Sequence, residues 1–155
     1  KNIEGIISAF ELLKKKYQVP HKLVLAGPRG YGYKKIRNND IVETGYIDET
    51  QKQQLLSNAE LFIFPSFYEG FGFPILEAQA AGCPVITSNI SSMPEVAGEG
   101  AILVEPENIE QICQMMHKVI SDQELRKRLI KKGKENARRF IWQKCAQRTL
   151  KVLTE

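Results

Sequence analysis

The sequence is short of the residues that build metal centres and disulfide frameworks. It has 3 cysteines and 2 histidines in 155 residues. Cys83, Cys113 and Cys145 are far apart, odd in number and in no Cys-x-x-Cys pair. That spacing fits reduced thiols in a cytosolic protein and argues against a disulfide scaffold or a zinc site. His21 and His117 stand alone and no His-Glu-x-x-His pattern occurs, so a metal-dependent mechanism has no support. Long hydrophobic runs are missing too. Leu61-Phe-Ile-Phe64 is typical of the longest, far below the roughly 20 residues a membrane-spanning helix needs. The first residues read as an amphipathic helix, not as a signal peptide. No repeat, low-complexity tract or interdomain linker is visible.

What is present is ordinary for one globular domain: 43% hydrophobic and 26% charged residues, with a formal charge of +4. Helical spacing of Ile3, Ile6, Ile7, Phe10, Leu13 and Tyr17 predicts a helix over 2–17. Short apolar runs predict strands over 22–27, 40–45, 61–65, 84–87 and 101–104. Helices are expected over 49–59, 74–81, 108–120, 122–138 and 141–153. Alternation of strands and helices predicts an α/β fold, doubly wound and Rossmann-like, with a parallel sheet covered on both faces. Such a sheet normally places a strand before the first helix, so the chain reads as a fragment. Ligands of these folds bind outside the carboxyl ends of the strands. That directs attention to the loops after Ala26, Gly45, Phe64 and Thr87.

The loop after Phe64 carries the most chemistry: Pro65-Ser-Phe-Tyr-Glu69-Gly-Phe-Gly-Phe-Pro74-Ile-Leu-Glu77. Gly70 and Gly72 let the backbone turn sharply and let a ligand come close. Pro74 suits the start of a helix. Amides around Phe71, Gly72 and Phe73 then sit at a helix N-terminus, which favours an anion or a hydroxyl oxygen. Glu69 and Glu77 frame the loop with seven residues between them. Two carboxylates facing one pocket suit a polyol, because each accepts hydrogen bonds from paired hydroxyls.

This Glu-x7-Glu pattern resembles the signature of the family-4 retaining glycosyltransferases (glycosyltransferase group 1) of the GT-B fold, in their C-terminal domain. Phe64-Pro-Ser66, Ala80-Ala-Gly-Cys-Pro-Val-Ile86, Met93-Pro-Glu95-Val, Lys1-Asn2 and Phe140-Ile-Trp142 resemble that family as well, and in order. The resemblance implies that residues 1–155 form a nucleotide-sugar donor-binding domain whose first strand and N-terminal acceptor domain are absent. It implies catalytic roles for Glu69, on hydroxyls of the transferred sugar, and for Lys1, on the donor diphosphate. Glu77 would hold the ribose. Gly70, Phe71, Gly72 and Phe73 would hold sugar hydroxyls or phosphate, Tyr46 and Ile47 the base, and Ser66 a further part of the substrate. No metal or other cofactor is implied. The expected reaction is retaining transfer of a hexose, with a lean to mannose, from a nucleoside-diphosphate sugar to a glycan or lipid-linked acceptor.

Other readings accompany this one. A non-catalytic nucleotide-sugar-binding module would keep the same contacts. A glycoside hydrolase would use the two glutamates as acid and nucleophile, about 5–9.5 Å apart, but would act without a nucleotide. A sugar-nucleotide epimerase on a related fold has no specific support. Gly27-Pro-Arg29-Gly30-Tyr-Gly32 looks like a dinucleotide loop, yet no helix follows it at the needed length; it reads as a turn near the donor pocket, with Arg29 either solvated or near a phosphate. The basic run from Arg126 to Arg139 reads as a solvated helix face or as peripheral contact with an anionic membrane surface. It lacks the interleaved aromatics of a nucleic-acid platform. Trp142 reads as a core or interdomain anchor. A cytoplasmic protein, peripheral at the inner face of a membrane, is the expected setting.

Overall fold

A computed structural model describes residues 1–28, 30 and 36–154. The elements run α1 (Ile3–Tyr17), β1 (Leu23–Ala26), β2 (Ile41–Gly45), α2 (Glu49–Asn58), β3 (Phe62–Phe64), α3 (Phe73–Ala81), β4 (Val85–Ser88), α4 (Met93–Ala97), a 3-10 turn (Gly98–Gly100), β5 (Ala101–Val104), α5 (Ile109–Ser121), α6 (Gln123–Ala137) and α7 (Trp142–Thr154). Each element expected from the sequence is present, most of them shifted by a residue or two at an end. The short α4 was not expected. It lies in Met93-Pro-Glu95-Val, where Pro94 fits the first turn but five residues are too few to show a helical period.

Every ladder is parallel. β3, β4 and β5 lie side by side in that order, with Ile63 opposite Ile86 and Ile86 opposite Ile102. Side chains alternate across this sheet. Ile86 and Val104 pack into one core with Phe10 and Leu13 of α1, Ile112 and Met116 of α5, and Leu125 of α6. Phe64 and Val85 pack into a second core with Ile75 and Ala78 of α3 and Met93 and Val96 of α4. Helices therefore cover both faces of this sheet, and the α/β doubly wound class holds.

Two details differ from the expected single sheet. β1 and β2 form a separate two-stranded ladder, with no pairing between β1 and β3. A cleft of about 1070 Å³ lies between them, lined by consecutive residues from Lys22 to Pro28 and from Glu60 to Phe64. Unbroken runs from both strands line it, so their edges, not only their faces, look into the cleft. The second detail is coverage. Leu23 and Ile41 pack toward α1 and α5, but Val24 and Val42 on the other face are 42% and 41% exposed. The alternating burial of β1 and β2 is that of a ladder covered on one face.

α6 fixes α3 from behind. The buried Asn136 Nδ2 donates to Gln79 Oε1 and to the Val96 carbonyl, each at 2.8 Å, and Gln79 Nε2 donates to the Ala97 carbonyl at 2.8 Å. Beside this network Gly133 and Gly100 touch backbone to backbone. A Cβ on Gly100 would meet Gly133 Cα at 2.5 Å, so only glycine lets α6 come so close. α7 differs from the other helices in having no buried residue. Trp142 is 77% exposed, which removes it from the core. Among the described residues, no helix is long and apolar enough to cross a membrane.

Replacing Asn136 with alanine leaves Gln79 Oε1 and the Val96 carbonyl buried without a donor. The expected cost is about 2 kcal/mol, a fall in Tm of roughly 4–8 °C for a chain of this size. Lys127→Ala, on the exposed face of α6 with an exposed Glu124 partner, is expected to melt like the parent. Thermal melts of the two variants check this.

Candidate functional site

β3 stops at Phe64 because Pro65 follows, and the chain passes through Ser66–Gly72 before α3 begins. Gly72 is the N-cap of α3 at φ 102°, a left-handed conformation that favours glycine. The helix starts at Phe73, one residue before the expected Pro74. No side chain caps it. Ile75 donates to the Gly72 carbonyl at 3.0 Å. The Phe73 amide has no intrahelical partner at this position, and those of Phe71 and Gly72 have none among the described residues. The positive end of α3 thus carries unpaired amides, with Gly72 itself buried and Phe71 and Phe73 exposed.

The loop is held from behind by β4 and the turn after it. Ser91 Oγ donates to the Glu69 carbonyl at 2.8 Å. Ser92 Oγ lies 2.9 Å from both the Glu69 and the Phe71 carbonyls and shares its proton between them. Thr87 Oγ1 donates to the Phe64 carbonyl at 2.8 Å, and Ser88 Oγ donates to that of Ser66. Ser66, fully buried, donates from Oγ to Glu69 Oε1 at 3.0 Å. Its hydroxyl orients the Glu69 carboxylate.

The cleft between the two ladders reaches Phe64 and Pro74, on either side of this loop, but none of Ser66–Gly72 lines it. Lys1, Gly27, Pro28, Thr44, Tyr46, Ile47, Lys52, Pro74 and Glu77 line its carboxyl end. Lys1 Nζ stands 5.6 Å from the centre of the Phe64 ring. Asn2 anchors that end of the chain, donating from Nδ2 to the Pro65 carbonyl at 3.1 Å and to the Pro106 carbonyl at 2.6 Å. Tyr46 is 82% exposed at the mouth. Glu77, on α3, accepts a hydrogen bond from Lys52 Nζ of α2 at 2.9 Å. Hydrogen bonds to Glu49 and then Glu77 push the Lys52 pKa up, so this ammonium stays charged at neutral pH.

The structure therefore brings Lys1, Tyr46, Ile47 and Glu77 to one cleft. Ser66 and Glu69 sit together on the adjoining loop and do not line that cleft. Gly70 and Phe71 are exposed on the same loop. Phe71 and Phe73 form an aromatic patch with Phe140 and Trp142, the rings of Phe73 and Trp142 lying 6.4 Å apart. Arg29 lies outside the described residues. Three of the eight cations in the basic run pair with carboxylates within the chain: Arg126 with Glu60, Lys127 with Glu124 and Lys132 with Glu99. Sequence reasoning missed Lys52, Ser91 and Ser92. Each acts across 21 or more residues, and no local pattern announces such a contact. Burial pushes the Cys83 thiol up to about 12, and burial raises Cys113 as well; neither is placed for nucleophilic chemistry.

Comparison with known proteins bears on the family and the fold. A family model described as glycosyl transferases group 1 matches residues 1–136. The O-antigen chain mannosyltransferase B of Escherichia coli is 33% identical over 158 residues, which cover 97% of this chain and 42% of that protein. The chain therefore spans less than half the length of that relative. The solved C-terminal domain of a glycosyl transferase group 1 family protein, LpcC of Francisella tularensis, superposes with a TM-score of 0.73 at 26% identity, over 88% of this chain and 77% of that one. Anabaena HepE, solved with UDP and glucose, superposes with a TM-score of 0.81 at 20% identity, over 99% of this chain and 44% of that one, a likeness of fold.

Ser92→Ala frees the Phe71 carbonyl and weakens the hold on that of Glu69. Amide exchange at Ile75, whose amide donates to the Gly72 carbonyl, and at Glu69, whose amide donates to Ser91 Oγ, is expected to speed up several-fold, with β4 unchanged, whereas Ser92→Thr keeps the hydroxyl and the slower rate. Hydrogen exchange read by mass spectrometry checks both.

Proposed function

This chain belongs to the group 1 glycosyl transferases, and we propose that it is the donor-binding part of a longer retaining hexosyltransferase that uses a nucleoside-diphosphate sugar. One observation carries the reading: Lys1, Tyr46, Ile47 and Glu77 line one cleft that opens beside the uncapped N-terminus of α3. Glu77 accepts the ribose hydroxyls. Tyr46 and Ile47 flank the base. Lys1 and the amides of Phe71–Phe73 receive the diphosphate. Glu69, with Ser66 behind it, meets hydroxyls of the transferred sugar at Gly70–Phe73.

These groups suit the chemistry of the transfer. As the bond from the anomeric carbon to the phosphate oxygen breaks, its electron pair stays on the diphosphate. The new charge grows where an ammonium and a helix N-terminus already point, so the transition state is stabilised without reorganisation. The same positive groups take the place that a cation fills in other enzymes, and the reaction is metal-independent. The acceptor, a glycan or a lipid-linked sugar, binds to a part of the protein beyond these residues. Similarity to a mannosyltransferase supports mannose as the sugar. UDP and glucose on a protein of the same fold support a nucleoside-diphosphate sugar as the donor class. The unpaired thiols and the basic α6 favour a cytoplasmic enzyme with peripheral contact at an anionic membrane face.

Calorimetric titration of the full-length protein with uridine, guanosine and adenosine diphosphates tests the reading. One nucleotide is expected to bind selectively, with affinity unchanged by a chelator. Removing the charge-assisted acceptor in Glu77→Ala is expected to weaken it about tenfold or more. Equal binding by the parent and Glu77→Ala would contradict the ribose role.

A further inference from the structure

Glu77 does not enter the cleft as a free carboxylate. Lys52 reaches across from α2 and holds it at 2.9 Å, while the same ammonium holds Glu49 at 2.8 Å. Lys52 is anchored in turn. It sits in the first turn of α2, where Asp48 and Gln51 form a reciprocal capping box, and its amide donates to the Asp48 carbonyl at 2.9 Å. Tyr46 and Ile47 come immediately before that cap. One short, capped stretch of chain thus carries both the wall assigned to the base and the cation that grips the carboxylate assigned to the ribose.

We propose that Lys52 is a positioning residue for donor binding, one that fixes the Glu77 carboxylate in the orientation that accepts the ribose diol and sets it in register with Tyr46 and Ile47. The proposal rests on the reading of Glu77 as the ribose contact. A carboxylate offers about four acceptor sites. Lys52 occupies one, on Oε1, and leaves the remainder for two adjacent hydroxyls. Glu77 is about one-third exposed, so without Lys52 its side chain is free to turn among rotamers, and the ligand must then order it. Immobilising one such side chain costs an affinity factor of about three to ten. Lys52 itself is mostly covered, with 26% of its side chain exposed, whereas Glu49 is 85% exposed. The Lys52–Glu77 contact is therefore the inward one of the two, and Glu49 is an outer partner that the site does not depend on.

The test is a double-mutant cycle on the full-length protein, with the nucleoside diphosphate that the parent binds among those of uridine, guanosine and adenosine. Lys52→Met keeps the apolar stem and removes the charge. It is expected to weaken binding about three- to tenfold. In a Glu77→Gln background the same change is expected to have no further effect, because there is no carboxylate left to orient. Lys52→Arg is expected to recover part of the loss, and Glu49→Gln to bind like the parent. Thermal melts of each variant separate lost folding from lost affinity, with Lys52→Gln as the substitute if Lys52→Met melts early. Parental affinity in Lys52→Met overturns the proposal. So does an equal loss in both backgrounds, which would mean that Lys52 touches the ligand directly. A parent that binds, with Glu77→Gln unaffected, sinks the ribose reading and this proposal with it. A parent that binds no nucleotide sinks the whole donor-site reading.

Discussion

Two backbone carbonyls, those of Glu69 and Phe71, are gripped by the hydroxyls of Ser91 and Ser92, and the candidate site depends on that grip. A glycine-rich loop pays a large entropy to adopt one conformation. Here the cost is offset by bonds from a segment that is itself fixed. Ser91 and Ser92 follow β4, whose four residues are all buried. α4 starts directly after them, with Met93 fully buried in the core beneath. The Glu69 amide also bonds to Ser91 Oγ, at 3.4 Å, whereas those of Phe71 and Gly72 have no partner among the described residues. The left-handed turn at Gly72 then hands the chain into α3 without a cap. The helix N-terminus beyond this tied loop thus keeps unpaired amides.

α3 in turn must not shift, because it carries Glu77 at the cleft. Two contacts on opposite sides hold it. Gln79 is bonded to Asn136 of α6 in the interior, and Glu77 is bonded to Lys52 of α2 at the cleft. The interior bond is buried and costly to break. The cleft bond is partly solvated and adjustable, which suits a group proposed to accept a ligand as well. Rigid behind and tunable in front is the arrangement expected where a scaffold presents polar groups to a substrate.

Much of this was legible in the sequence, for reasons that differ by element. Strands such as Ala101–Val104, directly after Gly100, are short apolar runs beside a glycine or proline, and helices such as α1 and α5 carry a clear apolar stripe, so their existence follows from the pattern. The loop at Glu69–Glu77 is legible because glycine, proline and carboxylate occur at fixed offsets with a backbone reason for each. α4 was invisible because five residues hold little more than one turn. The split between β1 and β3 was invisible because strand order is a long-range property. The open face at Val24 and Val42 was hidden because an apolar run looks the same whether one face or two are covered. Lys52, Ser91 and Ser92 are ordinary polar residues whose importance lies in partners far along the chain.

The ligand is proposed to meet the protein where the Ser91–Ser92 clasp, the start of α3 and Glu77 converge. Backbone amide chemical shifts of the full-length protein, followed as a nucleoside diphosphate is added, test it most directly. The largest changes are expected on Tyr46, Ile47, Phe71, Gly72, Phe73 and Glu77, with α5 and α6 almost still. Changes centred instead on the basic face of α6, with Phe71–Phe73 and Glu77 unmoved, would contradict it.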